Sequence, residues 1–260
     1  MALTVKTASP ARLIIYSAVG FLVGLFLFYA GFMWLKRKRL IEDIPTSKIR
    51  SIAMGLVEIN GKAHPAKKEI MKSPLTGKEC VYYRYMVEKY VQSGKHGHWS
   101  TVKTGNSTEP FFVQDETGKV MVDPQHAEVH VPMSYHSQSQ WGKDPEPVVK
   151  RFLEKENIRF EGRLFGTNYT MRYREWVISP NTELYVMGTA DDNPYVEEAT
   201  AVEGAEDIII KRGGEKIMMI SNKKEKQILN TLKWKAILGI AGGALLSTVC
   251  LIFIIALLSR

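Results

Sequence analysis

Two stretches of the chain carry no charged residue at all. Residues 13–35 are closed by Arg12 and Lys36, and residues 236–258 by Lys235 and, two positions on, Arg260. Each run is 23 residues long. At about 1.5 Å rise per residue, either one spans a hydrocarbon core of about 30 Å with some tilt. Tyr16, Tyr29, Trp34 and Trp234 stand near the ends, where amphipathic rings prefer the headgroup level. A cleaved signal peptide needs an apolar core of only about 7–15 residues and a small-residue cleavage site, and the first run shows neither. Both runs predict membrane helices.

Between them the pattern changes to period two. VYYRYMVEKYV (81–91) is rich in aromatic and β-branched residues, as long strands are. FFVQDETGKVMV (111–122) predicts a hairpin around Asp115-Glu-Thr-Gly118, with Gly118 supplying the positive φ that short loops use. YTMRYREWVI (169–178) alternates, with Tyr169, Met171, Tyr173 and Val177 on one face and Arg172 and Arg174 on the other. Residues 184–187, 207–211 and 216–221 predict further strands, the last two joined at Gly213-Gly214.

Helical patterning is sparse. In DPEPVVKRFLE (144–154), Val148, Val149, Phe152 and Leu153 form one stripe, with Asp144 placed to cap and Pro145 in the first turn. Asn222-Lys-Lys-Glu225 resembles a capping box opening a helix that runs into the second span. Residues 191–207 hold seven acidic side chains with Pro194 and Gly204; they read as a solvated connector, with an acidic docking loop as the alternative. Gly20 and Gly24 in one span, and Gly239 and Gly243 in the other, have the four-residue spacing that lets helix backbones approach. The two helices can pack on each other or on a second copy.

The net charge of +8 suggests nucleic acid until it is located. Residues 40–232 contain 26 Lys+Arg against 27 Asp+Glu, a net of −1; the other nine basic residues flank the spans or lie in the short tails. A nucleic-acid binder carries its excess on the folded domain, so no nucleic-acid partner is expected. The inner flanks carry Lys36, Arg37, Lys38 and Arg39 on one side and Lys223, Lys224, Lys226, Lys233 and Lys235 on the other; the outer flanks carry Lys6, Arg12 and Arg260. The positive-inside rule then predicts a cytoplasmic domain with both termini outside.

Candidate chemistry is thin. No nucleotide loop, zinc-protease helix or Gly-x-Ser-x-Gly elbow occurs. Of six histidines, His96 and His98 flank Gly97, in what reads as a loop tip (95–98), and His126, His130 and His136 follow later. A structural zinc site wants four ligands, usually with paired cysteines, so no metal and no cofactor are expected. Cys80 is the only cysteine outside the spans. No histidine is local to it, Glu79 beside it disfavours a thiolate, and at the head of an aromatic strand it reads as a small packing residue. The second cysteine, Cys250, lies within a span, so no disulfide framework is expected.

Three segments in order, SPLTGKECVYYRY (73–85), PFFVQDETGKVMVDP (110–124) and RYREWVISPNTELYVMGTA (172–190), resemble the GIDE domain, also called BAM, "beside a membrane". The two flanking spans resemble that family's layout, and the likeness covers most of residues 50–232. The resemblance implies a β-rich domain that recognises a substrate or partner. In members of eukaryotic organelle membranes, a RING zinc module after the second span performs ubiquitin ligation. Here the sequence stops at Arg260, so the expectation is a chain without that module and without catalytic, cofactor-binding or metal residues. The resemblance also implies a domain outside the cytosol in the organelle members, opposite to the charge argument.

The reading is therefore a tail and first helix (1–40), a β-rich domain with one or two short helices, small-barrel and OB-like (41–232), and a second helix (233–260). The expected role is a membrane-anchored, non-catalytic interaction module with the bilayer and a protein as partners. Two alternatives stay open: an accessory subunit of a ubiquitin-ligase-like or other membrane enzyme, and a thiol enzyme using Cys80 with a histidine.

Overall fold

The computed structural model describes residues 10–93, 96–161, 168–194, 207–214, 217–223 and 225–259. The chain divides into two compact units, residues 45–224 and the two terminal helical segments. The first apolar run lies inside α1 (Pro10–Glu42). The 45–224 unit then holds β1 (Gly55–Pro65), β2 (Met71–Lys72), β3 (Glu79–Cys80), β4 (Tyr82–Ser93), β5 (His96–Asn106), β6 (Phe111–Gln114) and β7 (Lys119–Val122). After these come β8 (Glu128–His130), β9 (Met133–Gln138), α2 (Pro147–Lys155), β10 (Met171–Ile178), β11 (Glu183–Asp192), β12 (Ile208–Lys211) and β13 (Met219–Ser221).

Five of these strands close into a barrel. β1 pairs with β6, β6 with β7, β7 with β12, β12 with β11, and β11 returns to β1. Every pairing is antiparallel except β7 with β12. Counting barrel strands alone, the circuit runs 1-2-3-5-4-1 with strands three and five parallel, which is the arrangement of an OB-fold. The alternation of each strand fills the interior: Phe111 and Val113 from β6, Val120 and Val122 from β7, Ile59 from β1 and Val186 from β11 are all buried together. Closure leaves these five strands without the open edges that a flat sheet would expose.

A second sheet is built from insertions into that barrel. The β4–β5 hairpin comes from the connection between the first two barrel strands, and β9 and β10 from the connection between the third and fourth. They assemble in the order β5-β4-β10-β9, all antiparallel. One face is covered by α2: Val149, Phe152 and Leu153 pack on Tyr85, Val87, Met171 and Tyr173, with Phe152 edge-on to Tyr85 at 5.0 Å. At the other end Val81, Tyr82 and Ile178 join the barrel core.

Several expectations are corrected. Gly118 does not take a positive φ; the hairpin loop is held instead by Asp115, whose Oδ1 accepts from the backbone N–H groups of Thr117 (2.6 Å) and Gly118 (3.0 Å) and the Thr117 hydroxyl. α2 starts at Pro147, with Glu146 before it and no side-chain cap. Asp144 instead accepts from Lys150 at 2.7 Å and Asn168 at 2.7 Å. His96–His98 open a strand, while Gly94 and Lys95 lie outside the described residues. β12 and β13 do not pair with each other; both run antiparallel along β11, one after the other. The acidic stretch 195–206, residues 215–216 and Lys224 of the 222–225 capping box also lie outside the described residues.

The second span lies inside α3 (Glu225–Leu258), a single helix that starts well before the apolar run. α1 and α3 are both long and apolar enough to cross a membrane. They pack antiparallel through their small residues. A Cβ added to Gly31 would fall 2.6 Å from the backbone nitrogen of Ile240, and one added to Gly243 would fall 2.5 Å from that of Phe28. Gly24, Gly239 and Gly243 thus do what their spacing predicts, on each other's helix. Gly20 meets the Cys250 sulfur.

Candidate functional site

Strand alternation splits the side chains of the inserted sheet between α2 and its opposite, open face. On β4 the open face receives Arg84, Met86, Glu88 and Tyr90; on β10 it receives Arg172, Arg174 and Trp176; on β5, Trp99. Edge strand β9 adds Met133 opposite Trp176 and His136 opposite Arg174.

These residues form one continuous ladder. Arg172 makes a two-pronged contact with Glu88, Nε to Oε2 at 2.8 Å and a terminal nitrogen to Oε1 at 2.9 Å. Arg174 reaches the same carboxylate at 2.6 Å. The Arg172 guanidinium lies 4.4 Å over the Trp99 ring, and Trp99 meets Tyr90 edge-on at 5.4 Å. At the other end Arg84 lies 4.4 Å and Arg174 5.8 Å from the Trp176 ring centre. Hydrogen bonds from Arg172, then from Arg174, outweigh burial and hold the Glu88 carboxyl below the usual carboxylate range. Two guanidiniums thus share one carboxylate on this face while a third, Arg84, lies on the Trp176 ring, and the buried Nε of Arg174 has no hydrogen-bond partner. Tyr90 and Met133 remain 40% and 43% exposed.

On the α2 side, β10 anchors the SPLTG turn. Glu175 is fully buried and accepts from Ser73 Oγ (3.1 Å), the Leu75 backbone N–H (2.8 Å) and Thr76 Oγ1 (2.6 Å). Gly77, at φ +68°, lets the turn close, and its N–H donates to the Ser73 carbonyl at 2.9 Å. Two of the three segments that mark the domain in sequence are therefore joined by one buried carboxyl. A second buried one, Glu58 on β1, accepts from Thr46 Oγ1 at 2.7 Å and the Tyr185 hydroxyl at 2.8 Å.

Cys80 is fully buried on β3, its thiol directed at the Met71 carbonyl at 3.6 Å. Burial first, and nearby Glu175 second, push the thiol up to about 12. A nucleophilic cysteine needs the opposite shift. Maleimide at pH 8 will leave Cys80 unlabelled in folded protein and modify it in denaturant, read by peptide mass spectrometry; labelling of the folded state would reopen the thiol-enzyme reading. Among the described residues, no group of three or more His, Cys, Asp and Glu could hold a metal ion.

Sequence reasoning placed Arg172 and Arg174 on a shared face but missed their partners. Glu88 and Arg84 alternate along β4 as the two arginines do along β10, and that matching period was the available signal.

An OB-type barrel carrying an inserted arginine–tryptophan sheet, between two helices of membrane-spanning length, defines a membrane protein with a β-rich domain. More particularly, the chain belongs to the GIDE family: that family's model, described as E3 Ubiquitin ligase, matches residues 82–253. No curated protein and no solved structure matches the chain.

Proposed function

We propose that this protein is a membrane-anchored recognition module whose open sheet face receives an acidic segment of a protein partner. The observation that carries the reading is the surplus of two positive charges among Arg84, Arg172, Arg174 and Glu88, presented with tryptophan, tyrosine and methionine. Arginine and aromatic residues with Met are the composition of interface cores, and planar guanidiniums take carboxylates bidentately. A single-stranded nucleic acid would need free ring faces for its bases. Here Trp99 and Trp176 each carry a guanidinium. The connection between the fourth and fifth barrel strands, one of the loops by which OB-folds hold oligonucleotides, is residues 193–207, which carry five acidic side chains and no basic one.

The test is a photo-crosslinking amino acid at position 133 in the full-length protein in its native membrane, with position 148 on α2 as control. A discrete adduct from 133 that weakens several-fold in Arg84→Glu, and none from 148, is the expected result. Equal adducts from both positions would overturn the reading. The flanking charges support a cytoplasmic domain; a C-terminal reporter active only in the cytoplasm would reverse that orientation. The family's description favours a second reading, in which the acidic partner belongs to a protein-conjugation machinery. A conjugating enzyme in the position-133 adduct would support it; other adducts only would count against it.

A further inference from the structure

A separate feature lies at the C-terminal end of α1 and the N-terminal end of α3. Beyond Gly31 and Gly239 the helices leave a crevice of about 710 Å³ between them. Its wall changes character along its length. The part around Leu35, Ala236 and Ile240 is apolar, and the other part carries Lys38, Glu42, Asn230 and Lys233, with Leu229 among them. The change falls where the uncharged runs end, at Leu35 and Ala236, so the crevice straddles the boundary between hydrocarbon and headgroups.

The charges do not balance within the crevice. Lys38 is paired with Glu42, one turn on along the same helix. Glu42 is the one carboxylate among the lining residues, against two lysines. Lys233 adds an ammonium, and Asn230 one turn before it an amide donor. The lining thus offers one uncompensated positive charge and neutral donors at headgroup level, beside an apolar wall at acyl level. We propose that this crevice is a binding site for one anionic phospholipid, its phosphate held by Lys233 with Lys38 and its first acyl segment lying on Leu35, Ala236 and Ile240. The volume lies within the usual range for ligand sites, about 300–1,000 Å³, and accepts a glycerophosphate and the start of a chain. A zwitterionic lipid brings its own cation to the lysines and gains less. Basic clefts between membrane helices take anionic headgroups for this reason.

The test is native mass spectrometry of the full chain released from detergent and titrated with phosphatidylglycerol, phosphatidylcholine or inorganic phosphate. One phosphatidylglycerol retained per chain, with phosphatidylcholine about five- to tenfold weaker and no displacement by inorganic phosphate, is expected. Lys233→Gln will weaken retention by about fivefold, and Lys235→Gln, a flanking charge outside the crevice, will leave it unchanged. Equal retention of the two lipids would overturn the proposal. So would equal loss in Lys233→Gln and Lys235→Gln, which would make the attraction a diffuse property of the flank. Displacement by inorganic phosphate would reduce the site to an anion site, and a dimer in place of the lipid adduct would assign the crevice to a second copy; either would also overturn it.

Discussion

Glu175→Ala will destabilise the β-rich domain by about 3–4 kcal/mol, more than any exposed substitution in it. The carboxyl is fully buried and accepts three hydrogen bonds from the SPLTG turn. With it gone, the Ser73 and Thr76 hydroxyls, already 2.8 Å apart, can satisfy each other. The Leu75 N–H has no such recourse, and a buried donor left unpaired costs about 1–3 kcal/mol on its own. The turn also carries the Leu75 side chain, fully inside the cluster under α2, so its release loosens apolar packing as well. Glu175→Gln keeps one acceptor oxygen and will cost about half as much. Thermal unfolding of the detergent-solubilised chain measures both; for a domain of this size the alanine variant should melt about 8–15 °C lower. A shift within about 2 °C would show that the turn is not held by this carboxyl.

The same residue shows what the sequence could and could not say. The 169–178 run alternates clearly, and its odd positions belong to the covered face. Glu175 is one of those odd positions, between Tyr173 and Val177. An acid on an apolar face signals a buried partner, but the partner lies about a hundred residues earlier, and only the pairing of β10 with β4 brings it there. Short-range patterns were legible in the same way: the two spans, their glycine spacing and the 111–122 hairpin. Strands β1, β2, β3, β5, β8 and β9 were not, and β1 and β5 matter most. GLVEINGKAHP of β1 carries Glu58 and Asn60 among its apolar residues, and HGHWSTVKTGN of β5 is an edge strand with a mostly solvated surface. Neither shows clean alternation, yet without β1 there is no barrel closure and without β5 no partner for Tyr90. Asp144 illustrates the opposite error. Its spacing from the apolar stripe fits a cap, and tertiary partners at Lys150 and Asn168 claimed it instead.

Glu88→Ala carries the second large effect, about 3–5 kcal/mol of stability, because it leaves Arg172 and Arg174 adjacent with no shared counter-charge. The Glu88 side chain is only 8% exposed and the two arginines 23% and 24%, so solvent relieves little of that repulsion. The sign of the pH dependence follows from the depressed carboxyl. In the unfolded chain Glu88 titrates near 4.3; in the folded chain it titrates lower, through the bonds from Arg172 and Arg174. Its contribution is therefore complete above about pH 4.3 and is lost as pH falls through the folded value. The stability gap between the wild type and Glu88→Gln should be widest near neutrality and narrow towards pH 3, in denaturant titrations at each pH. A gap constant across that range would mean that Glu88 is not held ionised by the two arginines. Function should move the other way. Glu88→Gln removes the one negative charge that competes for the guanidiniums, so the position-133 adduct with an acidic partner should strengthen while the fold weakens. A residue serving stability alone would lower both together.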